Sequence, residues 1–170
     1  FGFTAYYPGP GLGGHCIPID PFYLTWKAKE FGVNTRFIEL AGEVNSAMPS
    51  YVISRVTDAL NTLGKSISMS KILILGLAYK KNVDDLRESP SLEIIDILLQ
   101  KGAKVEYSDP FIIETHKTRK NDFKMKSIEL NKDTINSYDL VLLATDHDSF
   151  DYDLIEKESK IIIDTRGRFQ

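Results

Sequence analysis

The 170-residue chain is predicted to be an α/β protein, with a Rossmann-like doubly wound parallel sheet preceded by a helical central segment. Three observations predict this class. Short apolar runs of strand length alternate with helical patterns in the second part of the chain, as in parallel sheets with crossover helices. A long stretch with helical periodicity precedes them. A glycine- and proline-rich segment without any hydrophobic period opens the chain.

The opening segment, Tyr6–Asp20, is predicted to be irregular backbone because glycine and proline interrupt regular structure. Asp20 and Pro21 then indicate the start of a helix, with Asp20 as its cap and Pro21 at its first position. This helix is expected to run to about Phe31 and to end at Gly32.

A second helix is predicted over Arg36–Leu63, where Pro49 should kink or split it and Gly64 should end it. Both helices are long for a solvated linker, so we expect them to pack between domains or subunits. The expected domains are residues 1–66, a catalytic loop with a helical dimerisation segment, and residues 67–170, a ligand-binding sheet. The apolar face of the second helix is formed by Phe37, Leu40, Ala41, Val44, Ala47 and Met48.

The second part of the chain alternates strands with helices. Ser89 and Pro90 open a predicted helix that ends at Gly102, and the polar stretch Lys117–Lys132 is expected to be a loop. The carboxyl ends of parallel strands share one edge of the sheet, where ligands bind. The predicted strands are Ile72–Leu75, Val105–Tyr107, Leu140–Ala144 and Ile161–Ile163.

Composition excludes several classes of function. With 42% hydrophobic and 26% charged residues, the chain can form a core without metals or disulfides. A net charge of −3 argues against a nucleic acid partner, and no apolar run is long enough to span a membrane. The single cysteine, Cys16, cannot form an intramolecular disulfide, so a cytoplasmic, reducing environment is expected. Phe1 is neither an initiator Met nor part of a signal peptide, so we expect a fragment of a longer protein.

Cys16 is the candidate nucleophile. Lone cysteines are usually packing residues, but Cys16 follows glycines and precedes a helix start. Glycines allow backbone amides to approach a ligand, and a helix amino terminus favours a thiolate. His15 is either a base for the thiol or a support of the loop, and adjacent side chains point apart. Asp20 is either a helix cap or a group that orients water or shares a proton with the thiol.

Two strand ends carry further candidates. Gly76 after the first strand resembles the start of an incomplete dinucleotide-binding motif, which lacks the later glycines. Tyr79, Lys80 and Arg87 follow it, as part of either a phosphate site or a solvated basic loop. Arg166 follows the last strand. Its guanidinium either donates hydrogen bonds to a phosphate or a sugar hydroxyl, or forms a structural ion pair. The Asp146–Asp148 turn is interpreted as polar rather than metal-binding, because no second His or Cys cluster supports a metal.

Two motifs then carry a resemblance to a known family. The segment from Pro8 to Pro21, PGPGLGGHCIPIDP, is similar to the catalytic segment of UDP-glucose/GDP-mannose dehydrogenases. The segments ILGLAYK from Ile74 and DDLRESP from Asp84 resemble the opening of that family's carboxyl-terminal domain. Pro18–Trp26 and Phe37–Gly42 look most like the UDP-N-acetylglucosamine 6-dehydrogenase branch, whose products enter capsule and O-antigen polysaccharides.

The resemblance implies a two-step oxidation of the C6 alcohol of a UDP-sugar with two NAD⁺. By that match, Cys16 forms a thiohemiacetal with the intermediate aldehyde and then a thioester, which water hydrolyses to the uronic acid. Asp20 would assist the acid–base and hydrolytic steps. Gly13 would line the sugar site, and Arg87 would reach toward the cofactor or the substrate at the cleft between the domains. Tyr79, Lys80 and Arg166 would hold the UDP-sugar.

The resemblance also implies that NAD is bound mainly by an amino-terminal domain absent from this chain, and that the full-length enzyme is a homodimer. The isolated chain is therefore expected to be inactive. The alternatives are a stand-alone nucleotide-sugar-binding module and a Rossmann-like NAD-binding domain with a structural cysteine. A Gly-x-Gly-x-x-Gly motif upstream of Phe1 would favour the dehydrogenase fragment over the binding module. A reactive Cys16 thiol would favour the dehydrogenase fragment over the NAD-binding domain.

Overall fold

The structure is a computed structural model that describes residues 2–3, 5–118, 122 and 124–169. A short 3₁₀ turn, Ile67–Met69, leads from the helical segment into the sheet. The helices are α1 (Asp20–Glu30), α2 (Arg36–Thr62), α3 (Pro90–Gln100), α4 (Lys132–Asn136) and α5 (Tyr152–Glu158), and the strands are β1 (Lys71–Leu75), β2 (Lys104–Ser108), β3 (Leu140–Leu143) and β4 (Ile162–Asp164).

The four strands form one parallel sheet in the order β2-β1-β3-β4. The chain runs outward from β1 to β2 and then returns past β1 to β3 and β4. This reversal between β1 and β3 creates the crevice at which doubly wound sheets bind ligands, at the carboxyl ends of the strands. The predicted α/β class is confirmed, and the loops after β1, β3 and β4 share the ligand-binding edge.

Both faces of the sheet are covered, which is why the strands are continuous apolar runs. The second half of α2 and α3 pack on one face, and α4 and α5 pack on the other. Side chains alternate between the faces along each strand, so Ile72 and Ile74 join the first cluster while Leu73 and Leu75 join the second. From α2, the residues Val52, Ile53, Val56 and Leu60 belong to the first cluster.

One expectation about helix boundaries was wrong, and of the kink or split predicted at Pro49 the split does not occur. The cap of α1 is Ile19, and Asp20 is the first helical residue without a capping hydrogen bond, so Asp20 is not the cap. Helix α2 is not split, because it continues through the buried Pro49. Proline removes one hydrogen bond, to the carbonyl of Asn45, and packing of the flanking turns keeps the helix continuous. Gly11 of the opening loop lies beside that carbonyl, since a Cβ there would be 3.6 Å from the oxygen.

The loop predicted over Lys117–Lys132 contains Arg119–Asn121 and Phe123, which lie outside the described residues. In the described part, Lys126 pairs with Glu114, and Ser127 pairs with Tyr107 at the end of β2. The short helices α4 and α5 were not predicted, although their caps, Asn131 and Asp151, accept hydrogen bonds from backbone amides in the usual way.

Helix α1 and the first half of α2 carry an exposed apolar face. The exposed fractions are 63% for Trp26, 89% for Phe37 and 53% for Val44, although all three are residues that normally lie inside proteins. Large exposed apolar side chains on two helices that contact each other are typical of an interaction surface. Within the described residues, none of the helices is long and apolar enough to cross a membrane.

Candidate functional site

The opening glycine loop lies against the carboxyl edge of the sheet. A Cβ at Gly9 would lie 2.5 Å from Nη1 of Arg166, and a Cβ at Gly11 would lie 3.0 Å from the Pro90 side chain. The Gly14 N–H donates a hydrogen bond of 2.9 Å to the Arg87 carbonyl. The loop therefore follows the sheet edge from β4 to the start of α3, and its glycines permit this close approach.

The opening glycine loop packs against Tyr79. A Cβ at Gly13 would lie 2.5 Å from the Tyr79 Cβ and 3.0 Å from the Glu88 carbonyl oxygen. A Cβ at Gly14 would lie 3.0 Å from the Tyr79 ring, and Gly14 has a φ of +93°, which favours glycine. Gly13 thus faces Tyr79 and the backbone before α3. Two predicted site residues, Gly13 and Tyr79, are brought into direct contact.

Cys16 lies just beyond this contact and is a free, exposed thiol. Its carbonyl accepts hydrogen bonds from the N–H groups of Ile19 at 3.0 Å and Asp20 at 2.8 Å. Cys16 and Asp20 are therefore one helical turn apart, so their side chains share a side of that turn. Both side chains are exposed to solvent.

Arg87 is paired with Asp85 at the wall of a cavity. Its guanidinium donates to both carboxylate oxygens of Asp85, with Nε–Oδ1 at 3.1 Å and Nη2–Oδ2 at 2.6 Å. This pairing raises the pKa of Arg87 above its ordinary value. Residues that include Gly14, His15, Asp85 and Arg87 line a cavity of about 710 Å³.

Arg166 follows β4 and is half-buried. Its Nε donates a 2.7 Å hydrogen bond to the Ala144 carbonyl at the end of β3. The Asp164 carboxylate instead accepts the N–H groups of Arg166, Gly167 and Phe169. Among the described residues no carboxylate lies within 4 Å of the guanidinium, so the structural ion pair is not formed there. Burial lowers the pKa of Arg166, and Asp146 and Asp164 partly offset that effect.

Lys80 is the second cation at this edge. It is exposed, and its Nζ lies 5.4 Å from the centre of the Tyr79 ring. Lys80 follows β1 and Arg166 follows β4, so β3 alone separates their strands. Neighbouring strands are about 5 Å apart, so the carboxyl ends of β1 and β4 lie about 10 Å apart at this edge.

The sequence analysis missed a buried pair of polar residues at this edge of the sheet. Asp109 follows β2, and His147 lies in the turn after β3, with Nε2 of His147 3.0 Å from Oδ2 of Asp109. Both side chains are buried, although the Asp146–Asp148 turn was interpreted only as a polar turn. The available signal was the position of an aspartate directly after β2, where dinucleotide-binding sheets carry an acidic residue. Within the described chain, no group of three or more His, Cys, Asp or Glu side chains could hold a metal.

Comparison with known proteins identifies the family of this chain. The profile of the UDP-glucose/GDP-mannose dehydrogenase family, UDP binding domain, matches residues 73–170, and that of the family's central domain matches residues 1–47. The chain belongs to the UDP-glucose/GDP-mannose dehydrogenase family. The resemblance carried by the glycine–cysteine motif and by the segment after β1 is thereby confirmed. The carboxyl edge described above is the edge of this family's UDP binding domain.

Curated members of the dehydrogenase family match nearly the whole chain. The UDP-N-acetyl-D-mannosamine dehydrogenase of Methanococcus maripaludis is 40% identical over 168 residues, which cover 94% of this chain. The NDP-N-acetyl-D-galactosaminuronic acid dehydrogenase of Ralstonia nicotianae is 36% identical over 163 residues. The chain spans 36% of the length of each of these two relatives.

Solved structures of family members have the same fold. The UDP-D-ManNAc dehydrogenase of Pyrococcus horikoshii superposes with a TM-score of 0.77 at 30% identity, over 99% of this chain and 38% of its own. The NDP-N-acetyl-D-galactosaminuronic acid dehydrogenase of Methanosarcina mazei superposes with a TM-score of 0.79 at 27% identity, over 98% of this chain and 37% of its own.

Proposed function

We propose that this chain is the part of an NAD-dependent UDP-sugar 6-dehydrogenase that carries the nucleophilic thiol and the UDP-sugar site. The observation that carries the proposal is the contact of Gly13 and Gly14 with Tyr79. It joins the loop that bears Cys16 to the UDP binding domain of the family. A sugar held at that domain by its diphosphate would therefore present its far end to the thiol.

Each of the predicted site residues has a proposed part in binding the substrate or in the reaction. Arg166 offers Nη groups that lack an acceptor among the described residues, in a partly desolvated position that favours an anion. Lys80 supplies a second cation for the diphosphate. The Cys16 thiolate adds to the carbonyl carbon of the C6 aldehyde, and the carbonyl oxygen takes up a proton. Asp20, one turn away, assists proton transfer and the later attack of water.

The sheet of this chain does not fit NAD. The turn after β1 is where a dinucleotide-binding sheet offers amides to the pyrophosphate. Here the amides of Leu77 and Ala78 donate to the buried Asp109 carboxylate, at 2.6 and 3.2 Å. We therefore assign NAD to a part of the longer enzyme outside this chain, with Arg87 facing it across the cavity beside Cys16.

A thiol that must stay reduced also suits a cytoplasmic enzyme of polysaccharide biosynthesis.

The proposed substrate class is a UDP-N-acetylhexosamine. The sequence resemblance suggests the N-acetylglucosamine branch, whereas the relatives described above are named for N-acetylmannosamine and N-acetylgalactosaminuronic acid. These sugars share a nucleoside diphosphate and a C2 acetamido group and differ in the configuration of ring hydroxyl or amide groups. Turnover of a panel of UDP-sugars by the longer protein assigns the epimer, and a preference for UDP-glucose would contradict the N-acetyl class.

We infer a homodimer for the longer enzyme. The exposed apolar face on α1 and the first half of α2 includes Trp26, Phe37 and Val44, and such a face is stable in water when a partner covers it. Light scattering on the longer protein should report twice the mass of one chain. A monomer at all concentrations would contradict the inference.

The variant Arg166→Lys tests the diphosphate site. Lysine keeps the charge but loses the forked donors, so we expect UDP to bind about tenfold to a hundredfold more weakly by calorimetry. The matched control is Arg168→Lys, because the Arg168 guanidinium stacks on Tyr152 at 4.4 Å rather than facing the edge. Unchanged affinity in Arg166→Lys would remove Arg166 from the site.

The isolated chain is expected to produce no NADH above background when mixed with NAD and a UDP-N-acetylhexosamine. The physical reason is that Asp109 occupies the amides of the turn after β1, so this chain cannot hold the dinucleotide there. The measurement is NADH absorbance, with the longer protein as the positive control. NADH production by the chain alone would refute the assignment of NAD to another part of the enzyme.

A further inference from the structure

The turn after β1 is anchored at its start by a side chain from the end of β2. Oδ2 of Asp109 accepts the N–H groups of Leu77 and Ala78, and Oδ1 accepts those of Phe111 and Ile112. Burial by itself raises the pKa of Asp109, but the hydrogen bonds from His147 and Leu77 hold it below its ordinary value. The carboxylate is therefore an internal anion in the place where comparable turns receive a ligand phosphate.

The same turn is anchored at its end by a side chain from the loop after β3. The His147 ring is fully buried, and its Nδ1 accepts the Asn82 N–H at 2.9 Å. Because Nδ1 is an acceptor, the ring proton lies on Nε2 and is donated to Asp109. One ring thus joins the two anchors, and both of its nitrogens are used.

Asn82 is a position that needs such an anchor. Its φ of 62° lies in the left-handed region, which non-glycine residues adopt at a cost. Its side-chain amide donates to Asp148 Oδ2 at 2.6 Å, and its Oδ1 accepts the Asp148 N–H at 3.1 Å. The contacts of Asn82 with His147 and Asp148 hold the turn in this conformation.

Tyr79 and Lys80 lie between the two anchored ends. We propose that Asp109 and His147 are positioning residues, which hold Tyr79 and Lys80 in the conformation that binds the nucleotide diphosphate. The inference rests on the proposed function, since it concerns the affinity of that site for UDP. In a sheet with a glycine-rich turn, the bound phosphate itself orders the turn. Here the contacts of Asp109 and His147 already order the turn, so Tyr79 and Lys80 are in place before the ligand binds. The entropic cost of ordering the turn on binding is therefore smaller.

Two substitutions of His147 separate the anchors. In His147→Gln the amide N–H reaches the Nε2 position and can donate to Asp109, but the acceptor for Asn82 is lost. In His147→Asn an oxygen takes the Nδ1 position and can accept the Asn82 N–H, but the contact with Asp109 is lost. We expect UDP to bind about tenfold more weakly to His147→Gln and within about threefold of the unmodified chain to His147→Asn.

The measurements are UDP calorimetry on the 170-residue chain, at a temperature where each variant is folded, and hydrogen exchange of the Asn82 amide. Exchange at Asn82 should be faster in His147→Gln and unchanged in His147→Asn. The control for general destabilisation is Tyr138→Phe, which removes a 2.8 Å hydrogen bond to Glu106 at the opposite edge of the sheet. Tyr138→Phe should lower the melting temperature without changing the affinity for UDP.

Several outcomes would overturn the inference. Normal UDP affinity or unchanged Asn82 exchange in His147→Gln overturns it alone, while the proposed function stands. Equal weakening in both His147 variants shows a general structural role and also overturns it. Failure of the unmodified chain to bind UDP overturns the proposed function together with the effect on binding inferred from it.

Discussion

Replacing Cys16 with serine is expected to reduce uronic acid formation by the longer protein by about 10⁴-fold or more. In the proposed mechanism the thiolate captures the C6 aldehyde, and a serine hydroxyl is a far weaker nucleophile because it stays protonated at neutral pH. Cys16 is free and exposed at the start of α1, where a substrate can reach it. The measurement is the rate of uronic acid formation by mass spectrometry, with a hydrazine added to trap any released aldehyde.

The serine variant should still bind UDP. Arg166 and Lys80 are placed by β4 and β1, and neither depends on the sulfur atom. We therefore expect the affinity of the Cys16→Ser chain for UDP to stay within about twofold of that of the unmodified chain. The neighbouring change Ile17→Val is the control, because Ile17 is 45% exposed and has no assigned role. Substantial uronic acid formation by Cys16→Ser would refute the nucleophile.

Replacing Gly13 with alanine is the change with the second largest expected effect. The new Cβ would lie 2.5 Å from the Tyr79 Cβ and 3.0 Å from the Glu88 carbonyl oxygen, so neither neighbour is the end of a flexible side chain. The loop that carries Cys16 must therefore move away from the sheet edge. A shift of about 1 Å in such a position costs about a hundredfold in rate. Overpacking should also lower the free energy of unfolding by about 1–3 kcal/mol.

The displacement can be measured on the isolated chain through the reactivity of Cys16. In the unmodified chain, a bound UDP-N-acetylhexosamine should slow iodoacetamide labelling, because the sugar lies over the thiol. In Gly13→Ala we expect UDP still to bind but the protection of Cys16 to be lost.

The matched control for this substitution is Gly42→Ala on α2. Its Cβ would also lie 2.5 Å from a neighbour, but that neighbour is the tip of the partly exposed Phe22 ring, which can turn aside. Full protection of the thiol in Gly13→Ala would show that the loop does not depend on this contact.

The regular elements were predictable because their signals are local. The apolar runs in β1 and β3 and the Ser89–Pro90 start of α3 depend on neighbours in the sequence, and the structure confirms them to within a residue or two. The predicted cap at Asp20 was wrong, and of the kink or split predicted for α2 at Pro49 the split does not occur, because packing and backbone geometry overrode the local signal. Helices α4 and α5 were missed because five and seven residues are too few to show a period.

The sequence by itself determined the positions of the four strands and of the three longer helices, the family of the chain, and the residue types available for chemistry, with Cys16 among them. It could do so because periodicity, turn residues and motif spacing are properties of neighbouring positions. Only the tertiary structure decided that Gly13 packs on Tyr79, that Arg166 lacks a carboxylate partner in the described chain, and that Asp109 closes the turn after β1. These contacts join residues far apart in the chain, and the crossover of the parallel strands is what brings them to one edge.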